Sequence, residues 1–323
     1  MWLSGARRVF TAARVRIAAA RPRLPMRFPA VPFAGGAGAA LCAAALSQRE
    51  KVMPATSTVG PAEQREVAAT ADAAGEIEAV VAKYAALHKL RSGGAELLVV
   101  HGHIDEDMLR RMRPSLRRLT AAAASAPQGH RIDVVIHTAG GDASATLRLL
   151  RDLRLLAKSS VVELWVPYEA LSGGSMLALG LCGVARLHVS QLAHLSRCNA
   201  TAGVLDSGIL RLADRHLALS AEQQLLRREL EVTDGYIAEA IAETLRQVLF
   251  KADAERVLGA FVTGPGSHET WTAGVDVCLA LGVPIADHGK EEVAFPSHLY
   301  ELAEDLDRLD LSFQQHADGD DDS

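Results

Sequence analysis

The sequence is poor in aromatic residues and in cysteines for its length. Aromatic side chains make up 4% of the 323 residues, and the 4 cysteines lie far apart without a CxxC pair. This spacing predicts neither a disulfide framework nor a cysteine zinc site. The composition, which is 49% hydrophobic and rich in alanine, favours a helix-rich α/β protein and excludes a disordered or fibrous chain.

Acidic residues are missing from the first 49 positions, since the first acid is Glu50. The same stretch carries the arginines Arg7, Arg8, Arg14, Arg16, Arg21, Arg23, Arg27 and Arg49. An arginine-rich, acid-free start is typical of an organelle transit peptide. Residues 1–49 are therefore predicted to be a mitochondrial targeting leader, and the protein is expected in the matrix or at the inner membrane. A nucleic-acid-binding arm is the alternative interpretation of the arginines.

The full sequence has a net charge of −5, and the leader carries arginines but no acid. The chain that remains without the leader is therefore more acidic than the full sequence. Nucleic acid is therefore not expected as a partner.

Long apolar runs are also scarce. Residues 28–46 are uncharged and approach the length of a membrane span, but alanine and glycine make them only weakly hydrophobic. A membrane anchor, a second sorting signal and the end of the leader all remain open for this segment, and membrane association stays an expectation.

Beyond a linker and a helix at residues 50–94, short apolar runs alternate with helical patterns. Strands are expected near 96–102, 131–138, 161–166, 184–190 and 191–196. This alternation predicts a parallel sheet covered by helices. Pro114 predicts a kink or a break in the helix between the first two strands. No strand is expected after residue 200.

The region after residue 200 is expected to be helical. Helices are predicted near 220–233, 234–251, 252–260 and 272–282. Ser220 and Gln223 have the spacing of a capping box, and Gly282 is expected to end the last of these helices. Residues 291–323 are assigned to a C-terminal helix and an acidic tail.

Two glycine pairs stand at turns between an expected strand and the helix that follows it. The first is HTAGGDASA, in which Gly140 and Gly141 can leave backbone N–H groups free to bind an anion, and Asp142 is expected to cap the next helix. The second is YEALSGGSM, in which Ser172 can stand clear of the sheet. Because consecutive parallel strands end at one edge, the two turns are expected to lie together. For each of the two stretches, a plain tight turn without a functional role is the alternative interpretation.

These two stretches resemble known sequence patterns. "IDVVIHTAGG" resembles IDLILHTPGG, and "VPYEALSGGSMLALG" resembles VPHYAMSGGTLIALA, of the serine dehydrogenase proteinase family. That family is a branch of the Clp/crotonase-fold serine peptidases related to signal peptide peptidase A. The likeness continues at "GSHETWTAGVDVCLALGVPI" and covers about residues 95–286.

The resemblance implies a Clp/crotonase-like ββα spiral over residues 95–290 and a serine peptidase-like hydrolase. Ser172 falls on the nucleophile, and Gly140, Gly141 and Gly173 fall on the oxyanion loop. His268 falls on a matched histidine to which no role is assigned. The resemblance also implies a peptide or protein substrate, a homo-oligomer, and no metal or organic cofactor.

The chain departs from the family pattern between residues 182 and 200, where the general base is often found. Arg197 stands near the position of the Clp-type histidine, and an arginine stays protonated at neutral pH. His194 is the best candidate for the base, with a packed strand residue as the alternative. His137 is interpreted as a structural hydrogen-bonding residue.

A serine without a base is a poor nucleophile. Two further functions therefore stay open, namely a non-catalytic structural or binding subunit of a mitochondrial assembly and acyl-CoA chemistry of the crotonase kind.

Overall fold

The computed structural model describes residues 61–319, except for 126–128, 203–204, 217–218, 267–270 and 287–294. The strands, in chain order, are β1 (Glu96–His101), β2 (Arg131–His137), β3 (Val161–Val166), β4 (Glu169–Ala170), β5 (Arg186–Val189), β6 (His194–Ser196), β7 (Thr201–Ala202), β8 (Leu205–Asp206) and β9 (Thr272–Ala273). The helices are α1 (Pro61–Arg91), α2 (Glu106–Ser125), α3 (Ala143–Ala157), α4 (Gly173–Leu181), α5 (Ser207–His216), α6 (Ala221–Val248), α7 (Lys251–Leu258), α8 (Val275–Leu281) and α9 (Ser297–Gly319), with a π-helical turn at Gly259–Thr263.

The main sheet has four parallel strands in the order β1-β2-β3-β5. Each strand is followed by a helix or a crossover, as the alternation in the sequence predicts. The prediction of an α/β protein with a parallel sheet and a helical C-terminal part is confirmed.

The two faces of the main sheet are covered by different helices. Strand residues such as Val134 and Leu164 face a large apolar core that α2, α3, α4 and α6 complete. Their neighbours Val135 and Trp165 point to the other face and pack against α1 and α9. Because strand side chains alternate between faces, both sides of the sheet are buried.

Two small sheets lie beside the main one. Strands β4 and β6 are parallel, and β9 joins β6 in the antiparallel direction. Strands β7 and β8 form an antiparallel pair. The expectation that strands stop at residue 200 is therefore wrong, because β7, β8 and β9 follow. These strands have only two residues each, which is too short to give a periodic sequence signal.

Helix α2 runs through Pro114 without a break, so the predicted break is absent. Pro114 has no N–H, so the Arg110 carbonyl, four residues earlier, has no helical hydrogen-bond donor. Both residues lie on the exposed side of α2. Water can therefore satisfy the carbonyl that the proline leaves unpaired.

Helix α6 is likewise one helix where two were expected. Its middle is held by Asp234, which is buried and accepts a hydrogen bond from the Ala200 N–H at 2.7 Å. The predicted capping box at Ser220 and Gln223 is confirmed, and Gly282 ends α8 in the left-handed conformation.

The targeting leader and the uncharged segment 28–46 lie outside the described residues. Within the described part of the chain, no helix is both long and apolar enough to cross a membrane.

Candidate functional site

Ser172 occupies the tight turn between β4 and α4. Its backbone has φ 46° and ψ −109°, and it is the one non-glycine residue in the described part of the chain with a positive φ. Such a conformation costs a non-glycine residue about 1–3 kcal/mol and persists only where the surroundings hold it. The Ser172 hydroxyl does not cap α4. The turn therefore leaves the hydroxyl free, as a nucleophile elbow does.

Backbone hydrogen bonds on both sides hold this turn in place. The Leu171 N–H donates to the Thr138 carbonyl at 2.9 Å, and the Gly174 N–H donates to the Leu171 carbonyl at 2.7 Å. The Ser172 N–H donates to Oγ of Ser196 at 2.8 Å. The strained residue is thus tied to the end of β2 and to β6.

Ser196 is a site residue that sequence reasoning missed. Besides accepting from Ser172, it donates its own N–H to Oγ of Ser175 at 2.9 Å, and Ser175 donates in turn to the Ala170 carbonyl. The signal that could have found it is its place 24 residues after Ser172, close to where a Clp-type histidine is expected. Here a serine fills that place and positions the turn.

Gly140 lets its loop approach the serine turn. It has φ 106°, and a Cβ built on it would lie 2.7 Å from Cβ of Ser172. Its N–H donates to Oγ1 of Thr138 at 3.0 Å, and its carbonyl accepts from the Ile104 N–H at 2.8 Å. The Gly140 amide is therefore already used within the loop, and its part as an oxyanion donor stays a prediction that this arrangement does not support. The structure shows instead that the loop can approach Ser172 because Gly140 lacks a Cβ.

Gly141 and Gly173 carry the amides that remain available. Among the residues that the structure describes, neither N–H donates a hydrogen bond. The two glycines are adjacent, since a Cβ built on Gly173 would lie 3.4 Å from the Gly141 nitrogen. Gly173 is also the first residue of α4, where the helix dipole favours negative charge. These two amides form a candidate oxyanion hole.

A cavity of about 170 Å³ opens beside the serine and the two amides. This volume corresponds to about six water molecules. It is lined by Gly141, Asp142, Ala143, Ser172, Gly173, Met176, Cys198, Asn199, Ala200, Thr201, Leu230, Thr233 and Ile237. Asn199 is 4% exposed, and its Oδ1 has no hydrogen-bond partner among the described residues. The wall of the cavity thus mixes polar and apolar groups, and one of its residues carries a buried acceptor without a partner.

Asp142 is the anionic side chain among the residues lining this cavity. The prediction that it caps α3 is confirmed, since Oδ1 accepts from the Ala145 N–H at 2.8 Å and from the Ser144 hydroxyl at 2.7 Å. Burial raises the pKa of Asp142, but these hydrogen bonds and the charge of His103 outweigh it and lower the pKa. No hydrogen bond from a described residue reaches Oδ2. The second oxygen of this carboxylate is therefore free, and Asp142 lines the same cavity as Ser172.

The structure places His194 in a different cavity from Ser172. His194 is exposed on β6, where it pairs with Glu169, and it lines a cavity of about 570 Å³ together with His137 and Asp307. No hydrogen bond joins His194 to Ser172 within the described residues. The catalytic role of His194 stays a prediction that this arrangement does not support.

Arg197, which stands near the position of the Clp-type histidine, does not supply a base either. The Arg197 guanidinium lies 5.1 Å from the ring centroid of Trp271 and does not line the cavity of Ser172. Burial and the charge of Arg211 lower the pKa of Arg197, yet a guanidinium stays protonated at neutral pH. His268 lies outside the described residues.

The fold and the site together define an α/β protein with a strained serine and two free amides at one edge of its sheet. A scan against known protein families finds no match for the chain, and a search among curated proteins finds none. The functional argument therefore depends on the geometry of the site and on the sequence resemblance described above.

Proposed function

We propose that this protein is a serine peptidase-like hydrolase in which Ser172 is the nucleophile. The observation that carries the proposal is the positive φ of Ser172, a strained conformation that several hydrogen bonds maintain. Strain of this kind clusters at active sites because the fold gains nothing from it elsewhere. The resemblance to the serine dehydrogenase proteinase family, and to its Clp/crotonase-like fold, supports the same assignment.

The reaction follows from the groups around the serine. Oγ of Ser172 bonds to the carbonyl carbon of the substrate, and the carbonyl oxygen takes the negative charge. The N–H groups of Gly141 and Gly173 donate to that oxygen. The leaving amine departs with a proton, and water then hydrolyses the ester on Ser172.

Asp142 is the group we assign to accept the serine proton. Its carboxylate lines the same cavity, and its Oδ2 is free. A carboxylate with a lowered pKa is a weak base at neutral pH, so acylation of Ser172 is expected to be slow. The unpaired Oδ1 of Asn199 favours a substrate that offers an N–H, such as a peptide.

A fluorophosphonate probe tests the nucleophile directly, because it reacts covalently with activated serines. The full chain is compared with Ser172→Ala and with the control Ser159→Ala, which changes a serine at the end of α3. Labelling of the wild type and of Ser159→Ala, but not of Ser172→Ala, is the expected result. Equal labelling of all three would place the reactive serine elsewhere and reject the proposal.

An Asp142→Asn variant tests the proton acceptor. Asparagine caps a helix about as well as aspartate, so α3 should stay intact while the charge is lost. Because general-base catalysis contributes about 10²–10⁴-fold, we expect labelling at least about tenfold slower. Labelling at the wild-type rate would remove Asp142 from the mechanism and leave Ser172 in it.

A non-catalytic binding subunit is the second candidate function. It is favoured by one observation, which is that neither a histidine nor a lysine is among the described residues lining the Ser172 cavity. A folded wild-type protein that the probe does not label would support this candidate. The two amides would then hold a carbonyl or carboxylate ligand without reaction.

A homo-oligomer and a mitochondrial location are parts of the proposal that rest on the sequence. Exposed apolar residues on α6 support the oligomer, since Val232 and Tyr236 are 59% and 66% exposed and stand one turn apart. Light scattering of the purified full chain measures the mass of the assembly. A fluorescent fusion to the first 49 residues tests import into mitochondria.

A further inference from the structure

The face of the main sheet under α1 and α9 carries a row of ionisable side chains. Every second residue of a strand points to this face, and along that set ionisable side chains take turns with apolar ones. The row consists of His101, Asp133, His137, Glu163 and His188. Buried ionisable groups are costly unless they are paired or bind a metal, so each of them calls for a partner.

Two of these residues, His101 and His137, stand side by side at the ends of their strands. The parallel register of β1 and β2 pairs one directly with the other. Their rings are stacked, with centroids 5.6 Å apart and planes inclined by 18°. Both side chains are more than nine-tenths buried, at 7% and 3% exposure. The backbone pairing thus fixes two imidazoles next to each other.

Helix α9 brings two carboxylates to this histidine pair. Oδ1 of Asp307 lies 2.8 Å from Nε2 of His137, and Oδ2 of Asp310 lies 3.1 Å from Nε2 of His101. The aspartates are three residues apart and therefore share one face of the helix. One ligand atom from each of His101, His137 and Asp307 lies within 4.8 Å of the other two.

Two nitrogens of the pair are left without a hydrogen bond. Among the described residues, Nδ1 of His101 and Nδ1 of His137 are buried and have no hydrogen-bond partner, whereas Nε2 of each ring faces a carboxylate. Buried polar atoms are paired in the great majority of cases, so an unpaired set at one place points to an unseen ligand. A cation would bind one nitrogen of each ring and neutralise the carboxylates at the same time.

We propose that His101, His137 and Asp307 bind one divalent transition-metal ion of the zinc type, with Asp310 orienting His101. Two imidazoles and a carboxylate are a common ligand set for zinc, whereas calcium and magnesium prefer oxygen ligands alone. A carboxylate on the second nitrogen of a ligating histidine is the usual support of such sites. This site is separate from Ser172 and does not depend on the proposed hydrolase.

The surroundings of the cluster fit an ion that is accessible from solvent. Tetrahedral zinc with bonds near 2.1 Å holds its ligand atoms about 3.4 Å apart, so the present set needs only a small contraction. His137 and Asp307 also line the cavity of about 570 Å³ that contains His194 and Glu169. This cavity provides an entry path and room for water as a fourth ligand.

Zinc binding by the full chain tests the proposal. The protein is purified without a histidine tag, stripped with a chelator and titrated with zinc against a chromogenic competitor. Asp307→Asn removes one ligand from an exposed position, so folding should be unaffected. Glu301→Gln is the matched control, because it removes an exposed carboxylate from the same helix.

We expect wild type and Glu301→Gln to bind zinc with micromolar or tighter affinity and to melt at a higher temperature with zinc. Asp307→Asn should bind at least tenfold more weakly and lose the rise in melting temperature. His101→Ala should behave in the same way. Wild-type affinity in a folded Asp307→Asn or His101→Ala variant would overturn the proposal, as would the absence of zinc binding by the wild type.

Discussion

Replacing Ser172 by glycine should stabilise the protein relative to replacing it by alanine. Both substitutions remove the hydroxyl, so they differ only in the Cβ. Alanine keeps the Cβ that makes φ 46° and ψ −109° unfavourable, whereas glycine adopts such dihedrals freely. The comparison therefore isolates the backbone strain at the proposed nucleophile.

The expected difference follows from two opposing contributions. The strain that glycine removes is about 1–3 kcal/mol. Glycine in turn costs about 0.4–1 kcal/mol, because it gives the unfolded chain more freedom. The glycine variant should therefore be more stable by about 1.3 kcal/mol at the middle of these two ranges, and by at most about 2.6 kcal/mol. For a domain of this size the middle value corresponds to a melting temperature about 3–5 °C higher.

Urea and thermal denaturation of the two full-length variants, followed by circular dichroism, measure this difference. Ser144 provides the matched control, since it is exposed in the first turn of α3 with ordinary helical dihedrals. There alanine should be the more stable by about 0.5–1 kcal/mol. If alanine is also the more stable at Ser172, the turn is not strained and the argument for a nucleophile elbow fails.

Two further predictions follow from the loop and from a buried histidine pair. Gly140→Ala should abolish probe labelling and destabilise the protein by about 2 kcal/mol more than Gly93→Ala in urea titrations. Both glycines have a positive φ, but only at Gly140 would the new Cβ meet Cβ of Ser172, at 2.7 Å. Burial and then the charge of His88 lower the pKa of His298 to about 4. As the pH falls, His298 is therefore protonated in the unfolded chain before it is protonated in the folded protein. The free energy of unfolding should be highest above pH 6.5 and should fall by on the order of 2 kcal/mol toward pH 4. His298→Gln should flatten that slope in denaturation curves recorded across this range, and an unchanged slope would contradict the assignment.

Local hydrogen-bond chemistry made parts of the fold predictable from the sequence. Asp142, Ser220 and Gly282 act at helix ends, where one side chain or one dihedral decides the outcome, and all three behave as predicted. The continuity of α6 was not predictable in this way, because it depends on Asp234 bonding to Ala200, which is 34 residues away in sequence.

The site was predictable only as far as its turns. The strand–glycine–helix pattern located Ser172 and the two glycine pairs, but the use of each amide depends on tertiary contacts. Thr138 takes the Gly140 N–H, and no spacing in the sequence reveals this. The register of β6 decides where His194 and Ser196 lie relative to Ser172. It pairs His194 with Glu169 and brings Ser196 to the backbone of Ser172.

The proposed metal cluster and the serine turn share the ends of β1 and β2. His101 and His137 close the two strands on the face toward α9. The next residues, Gly102 and Thr138, are joined by a hydrogen bond from the Thr138 hydroxyl to the Gly102 carbonyl. The same hydroxyl accepts the N–H of Gly140. An ion that fixed the two histidines would therefore also restrain the loop beside the oxyanion hole.

From this connection we predict that zinc bound at the proposed cluster increases the reactivity of Ser172. A loop held in one conformation presents its amides without reorganisation, so the wild type should label faster with zinc than after chelation. Asp307→Asn should label at the chelated rate in either condition, because it lacks the ion but keeps every residue of the serine turn. Identical wild-type rates with and without bound zinc would show that the two ends of the strands act independently.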